Sequence, residues 1–199
     1  MNEKFFDLKK EKQDRIINGA LKVISLNGYV HASTDEIVKE AGISKGLLFH
    51  YFENKIGMLE FIYNYSIRYA LLELRSALKE LSSDFFIQQQ QLLEAEVSML
   101  YQYPNIQIFL ERLQREHTEE VEAIIREGNR NLVEYYDSLC EQVIGPDKVI
   151  NSGRRELFMS VFCTKLAIQR YLMMEDRFTP EYYKSRIEAY ILALKKLAD

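Results

Sequence analysis

The chain contains no tryptophan, only three prolines, eight glycines and two cysteines among 199 residues. Proline and glycine are the residues that punctuate regular structure, so their scarcity leaves room for helices or strands along most of the chain. Cys140 and Cys163 stand alone in apolar segments, without the paired spacing of a zinc or redox site and without the density of a disulfide scaffold. The longest stretch free of charged side chains, Val97 to Leu110, is too short to span a bilayer and is broken by Gln, Asn and Pro. Met1 to Lys12 is charged and holds no apolar run, so no signal peptide is expected, and the expected location is the cytoplasm. Catalytic signatures are missing as well. There is no Gly-rich phosphate loop, no nucleophile elbow and no His-Glu-x-x-His, and His31, His50 and His117 share no metal-ligand spacing. No enzyme, no bound metal and no cofactor are expected.

What is present is the balance of a folded soluble protein, with 47% hydrophobic and 28% charged residues. At one domain per ~150 residues the length allows one domain or two small ones. The net charge of −4 is unevenly spread. Residues 1–55 hold nine Lys/Arg against eight Asp/Glu, and the remaining 144 hold 17 against 22. A near-neutral head is joined to an acidic body.

The apolar periodicity is helical almost throughout, and no run reads as a strand. Ile16, Ile17, Ala20, Leu21 and Ile24 mark a first helix that Asn27-Gly28 should stop. Ser33 with Glu36 fits a capping box for a short second helix carrying Ile37, Val38 and Ala41, and Gly42 breaks it. Ser44 can cap a third helix with Leu47, Leu48, Tyr51 and Phe52. Asn54 then caps a long fourth helix reaching about Leu81, which at ~1.5 Å per residue is about 40 Å. Ser82 to Asp84 punctuates before a fifth helix, and Pro104 should open a sixth. Val121, Ile125, Leu132, Tyr136, Leu139 and Val143 trace a seventh that ends at Gly145-Pro146. An eighth runs from about Arg154 to Met174, and Thr179-Pro180 starts a ninth. The predicted fold is all-α, with about nine helices.

The most informative stretch is Ser33 to Lys55, where two short helices meet at Gly42-Ile43-Ser44. This is the size of a helix-turn-helix, whose second helix enters a major groove of DNA. Helical hairpins of other all-α folds share the spacing. On the DNA reading, Lys45, Gly46, His50 and Tyr51 are outward or N-terminal residues of the recognition helix, and its first-turn N–H groups can face phosphate. Thr34 offers a further hydroxyl to phosphate, and Lys55 a further charge. The bland alternative for each is a covered or solvated helix surface.

The string from Ala32 to Leu59 resembles the TetR family of bacterial transcription regulators. The match rests on Thr34, Ile37-Val38, Ala41-Gly42-Ile43-Ser44, Gly46, Phe49, Tyr51-Phe52 and Lys55. The resemblance implies contacts to phosphates or bases by Thr34, Ser44, Lys45, Tyr51 and Lys55, with Gly46, Leu47 and His50 facing the groove. Phe49 departs from it, since many members carry Tyr there. Gly57 departs too, at a place where an acidic residue is frequent.

By the same resemblance, residues 1–54 form the helix-turn-helix head, a three-helix DNA-binding domain. Residues 55–199 form a helical domain for effector binding and dimerisation. Homodimerisation is expected through the last two helices, with Leu157, Val161, Tyr183, Ile187, Tyr190 and Leu194 as candidates. A cavity for a small, largely apolar effector is expected in the acidic, aromatic-rich body, with Glu96, Phe109, Tyr135 and Phe162 as candidates. Intramolecular core is the alternative for both sets. The implied function is a repressor that an effector releases from a palindromic, double-stranded DNA operator, with no membrane partner. The alternatives are an activator, or a helical effector-binding or scaffold protein that keeps the fold without reading DNA.

Overall fold

Several helices in the computed structural model start or stop on a local signal, and those signals place the candidate site. The structure describes residues 3–79, 82, 84–128 and 152–198. Among the described residues there is a 3-10 turn, Glu3–Phe5, and no strand. The helices are α1 (Lys10–His31), α2 (Thr34–Ala41), α3 (Lys45–Phe52), α4 (Lys55–Leu78), α5 (Phe85–Gln102) and α6 (Ile106–Leu113). They continue with α7, described over 119–128, then α8 (Ser152–Met174) and α9 (Pro180–Ala198). Leu132, Tyr135, Tyr136, Leu139, Cys140, Val143 and Gly145-Pro146 lie outside the described residues.

The caps follow side-chain chemistry. Ser33 Oγ accepts from Asp35 N at 3.1 Å and opens α2, while the Glu36 carboxylate takes the Asn27 amide at 3.4 Å instead of closing a capping box. Asp84 Oδ1 accepts from Phe86 N and Ile87 N at the start of α5, and Thr179 Oγ1 accepts from Tyr182 N at the start of α9. Two starts and stops differ from expectation. Gly28 takes φ 75° and ψ 164° and breaks the helical path, yet one further turn follows it to His31. Pro104 does not open α6. It sits second in a turn closed by Ile106 N on Tyr103 O at 3.1 Å, a position that suits its fixed φ.

The chain forms two compact units. The first comprises Met1–Tyr69 and Gln102–Asn131, so the first part of α4 and the α6 region group with α1 to α3. Its core joins Ile16, Ile17, Leu21 and Ile24 of α1 to Ile37, Leu48, Leu59, Phe109 and Leu113, all buried. Phe5 is buried too, its ring 4.8 Å from that of Phe61 and 5.4 Å from that of Phe52. A large apolar side chain buried in this way contributes about 1.5–3 kcal/mol relative to exposure.

The second unit comprises Ala70–Tyr101 and Leu132–Asp199. Leu92, Leu93, Val97 and Leu100 of α5 are buried in it, as are Val161 and Leu172 of α8 and Tyr183, Ile187 and Ile191 of α9. α8 and α9 pack on one another.

Candidate nucleic-acid interface

Between α2 and α3 the backbone reverses in three residues. Gly42 adopts φ 63° and ψ 44°, the left-handed conformation that costs glycine least. Its N–H bonds Lys39 O at 3.3 Å and that of Ile43 bonds Val38 O at 3.0 Å, the paired pattern that satisfies the last carbonyls of a helix. Ser44 Oγ then accepts from Leu47 N at 3.2 Å. The N–H groups of Lys45 and Gly46 remain on the exposed first turn, where helical geometry supplies no acceptor and the helix dipole favours an anion.

Ser44, Lys45, Gly46 and His50 are exposed, and Leu47 and Thr34 are half-buried. Gly46 is informative because a Cβ built there meets nothing within 4 Å. Packing inside the protein does not demand a glycine at this point, and its effect is to keep the outer surface of α3 thin. Lys45 Nζ lies 2.9 Å from Asp35 Oδ1. Both partners are exposed, so the pair contributes about 0–1 kcal/mol and leaves Lys45 able to exchange its carboxylate for a phosphate.

Tyr51 departs from the outward position expected for it. The residue is 8% exposed, and its ring stands edge-on to Phe5 at 5.9 Å. The cause is the N-terminal segment, which lays Phe5 over the end of α3 and which the charge pattern of residues 1–12 did not reveal. Gln13 Nε2 ties that segment down by donating to Phe6 O and Leu8 O at 3.1 and 2.8 Å.

The junction of α3 with α4 is tight. Glu53 adopts φ 62° and ψ −50°, and Asn54 N bonds Phe52 O at 2.6 Å, forming a γ-turn of the rarer, strained hand. Asn54 Oδ1 then accepts from Gly57 N at 2.8 Å, capping α4. A Cβ at Gly57 would lie 2.6 Å from Phe52 O. This close approach to a backbone oxygen leaves no room for a side chain at position 57 unless the junction shifts.

Lys55 opens α4 half-buried. Its ammonium donates to Val30 O at 3.3 Å and lies 4.5 Å from the centre of the Tyr29 ring. Burial pulls its pKa down, and the Glu116 carboxylate opposes that shift. Glu116 stands near Glu119 and Glu120 in the chain. In the structure its Oε1 accepts from Tyr29 N at 3.0 Å.

The effector candidates fall in different places. Phe109 is fully buried in the first unit, and Tyr135 lies outside the described residues. Glu96 and Phe162 belong to the second unit. There Lys165 Nζ lies 3.0 Å from Glu96 Oε1, and Tyr183 OH donates to Glu96 Oε2 at 3.4 Å. Burial, with Glu96 adjoining, drives the Tyr183 pKa strongly upward. Of the dimerisation candidates, Val161, Tyr183 and Ile187 are spent on the unit's own core. Leu157, Tyr190 and Leu194 are half-buried, and among the described side chains of α8 and α9 the large apolar Tyr171, Met174, Leu192 and Leu197 face solvent.

Residues 16–62 match the family model for bacterial regulatory proteins of the tetR family. Over 56 residues the chain is 45% identical to the uncharacterized HTH-type transcriptional regulator YuxN of Bacillus subtilis, a match covering 28% of this chain and 19% of that protein. Over 51 residues it is 39% identical to the fatty acid metabolism regulator protein of the same organism, covering 26% of each. The matched segment thus spans about a fifth to a quarter of these curated relatives. Among solved structures, FadR from Bacillus subtilis in complex with stearoyl-CoA superposes with a TM-score of 0.59 at 19% identity, covering 89% of this chain and 96% of that one. The fatty acid degradation regulator FadR from Bacillus halodurans gives 0.57 at 22% identity, covering 90% and 97%. At these identities the likeness is one of fold.

Proposed function

We propose that this chain, a member of the TetR family of bacterial regulatory proteins, is a homodimeric repressor that a small effector releases from a near-palindromic operator. Proteins of this family are transcriptional regulators rather than enzymes. The observation that carries the reading is the outer surface of α3. Ser44, Lys45, Gly46 and His50 are exposed at and along a helix where the N–H groups of Lys45 and Gly46 have no intrahelical acceptor and Gly46 carries no Cβ. Thr34, Lys45 and Lys55 would hold phosphates and fix the register, while Gly46, Leu47 and His50 would face base edges. Tyr51, with little surface left, would act through its edge.

One such head reads only a few base pairs, so two copies are needed. The exposed Tyr171, Met174 and Leu192, with half-buried Leu157, Tyr190 and Leu194, supply an apolar surface on α8 and α9 for a second copy. The effector would enter the second unit beside Glu96 and Phe162, with Tyr135 as a further candidate, and would be largely apolar. The stearoyl-CoA held by the Bacillus subtilis FadR makes acyl thioesters the first compounds to test. An effector that fits only a tilted α4 would change the separation of the two heads, and DNA and effector would weaken each other's binding. Among the described residues, no helix is long and apolar enough to cross a membrane.

The test is a titration against the DNA upstream of the protein's own gene and against a scrambled duplex, each at two salt concentrations. Tight, sequence-selective and salt-sensitive binding, weakened by an acyl thioester, is the expected result. Equal binding to both duplexes, or none, would leave an operator elsewhere or a helical ligand-binding protein whose head no longer reads DNA.

A further inference from the structure

The end of α1 is held from two sides. Gly28 breaks the helix with φ 75°, a conformation open to few residues other than glycine. A Cβ there would collide with the Glu116 carboxylate and lie 3.1 Å from Arg112 Nη2, so the backbone at Gly28 is pressed against the end of α6. The break frees the N–H of Tyr29, which the Glu116 carboxylate takes at 3.0 Å. A hydrogen bond to a charged acceptor is among the stronger ones a protein makes. Lys55 uses the same short turn as its seat, with its ammonium over the Tyr29 ring at 4.5 Å and on Val30 O at 3.3 Å. Two sequence-distant segments thus converge on Tyr29 and Val30 at the end of α1: the turn after α6 and the start of α4.

We infer that Glu116 is a positioning residue for DNA binding, fixing through Tyr29 the platform on which the Lys55 ammonium is held for a phosphate. The inference rests on the proposed role of Lys55 as a phosphate contact. Lys55 needs such a seat because a lysine carries four rotatable carbons and loses much rotamer freedom when it binds. The Tyr29 ring and the Val30 carbonyl remove that freedom in advance, and their position depends on the turn that Glu116 clamps. Glu116 contributes in spite of its charge, which by itself would repel a phosphate backbone.

That opposition of signs makes the inference testable with the full-length protein. The readout is affinity for a short mixed-sequence duplex at low salt, where phosphate contacts dominate whatever the operator is. Lys55→Ala should weaken binding. Glu116→Ala should also weaken it, by about tenfold, the size of one charge-assisted hydrogen bond. Glu116→Gln keeps an oxygen that can accept from Tyr29 N, and should restore binding to the native level or above. In the Lys55→Ala background, Glu116→Ala should cause no further loss, because residues that act as one unit are not additive and only the repelling charge of Glu116 is then left to remove. Urea melts of each variant confirm that the protein assayed is folded.

Three results would overturn the inference. If Glu116→Ala and Glu116→Gln both tighten binding, Glu116 acts only as a repelling charge. If Glu116→Ala weakens the Lys55→Ala protein as much as the native one, it acts elsewhere in the head. If Lys55→Ala leaves binding unchanged, the phosphate role of Lys55 fails first and the positioning role with it.

Discussion

Lys165 Nζ stands 3.0 Å from Glu96 Oε1 inside the second unit, with the side chains 5% and 11% exposed. Removing water from two charges is costly, and the pair persists only because each compensates the other. Lys165→Met should therefore cost about 3–5 kcal/mol, since it leaves the Glu96 carboxylate buried without its cation. The double variant Lys165→Met/Glu96→Gln should recover most of that loss. Urea denaturation followed by circular dichroism measures both, and an equal loss in the single and double variants would show that the pair is not the source.

Gly46 sets stability against binding. An alanine there meets nothing in the protein and should raise stability by up to about 1 kcal/mol through helix propensity. The same methyl group would stand on the surface proposed to face DNA. Operator affinity should fall about tenfold, or roughly 1.4 kcal/mol, as the helix is held off the bases. Thermal melts and a DNA titration on one preparation would show whether the two effects have opposite signs.

Gly57 should behave in the opposite way. Its absent Cβ would lie 2.6 Å from the Phe52 carbonyl, so Gly57→Ala forces the α3–α4 junction apart. A loss of about 1–3 kcal/mol is expected, the usual cost of forcing an extra carbon into a packed site. A melt unchanged from native would mean that the junction yields freely.

Tyr63 gives the first unit an alkaline limit. Burial pushes its pKa up to about 12, against a partial opposing effect of its hydrogen bond with Gln114. The folded state therefore favours the protonated phenol. Its contribution is complete below the unfolded pKa near 10 and is lost as pH rises through about 12. Burial, with Asp14 accepting its hydroxyl, also drives the Tyr103 pKa upward, and Tyr183 in the second unit responds in the same sense. Urea midpoints should fall across this window, and Tyr63→Phe should make the fall shallower without abolishing it.

Leu192 and Tyr171 test the dimer. Both are more than half exposed on the single chain. Changing them to Glu should leave the fold intact and convert a dimer to a monomer in sedimentation. A mass unaffected by both substitutions would move the interface to another surface.

Most helix starts and stops of the helix-turn-helix region were legible in the sequence, because they depend on groups a few residues apart. Ser44 reaches a backbone N–H three residues on, Asn54 does the same, and Gly42 supplies its own left-handed turn. Nothing local marks the partners that packing creates. Glu116 and Tyr29 are 87 residues apart, and Glu96 and Lys165 are 69 apart. In sequence the first belongs to a run of acids, and the burial of Lys165 has no local signal. Phe5 lies in a charged segment, so its cover over Tyr51 was equally hidden. Side-chain type and spacing fix which backbone groups are satisfied within a turn or two. Which charge is buried beside which, and which ring shields which, is decided only when distant helices close on one another and exclude water from between them.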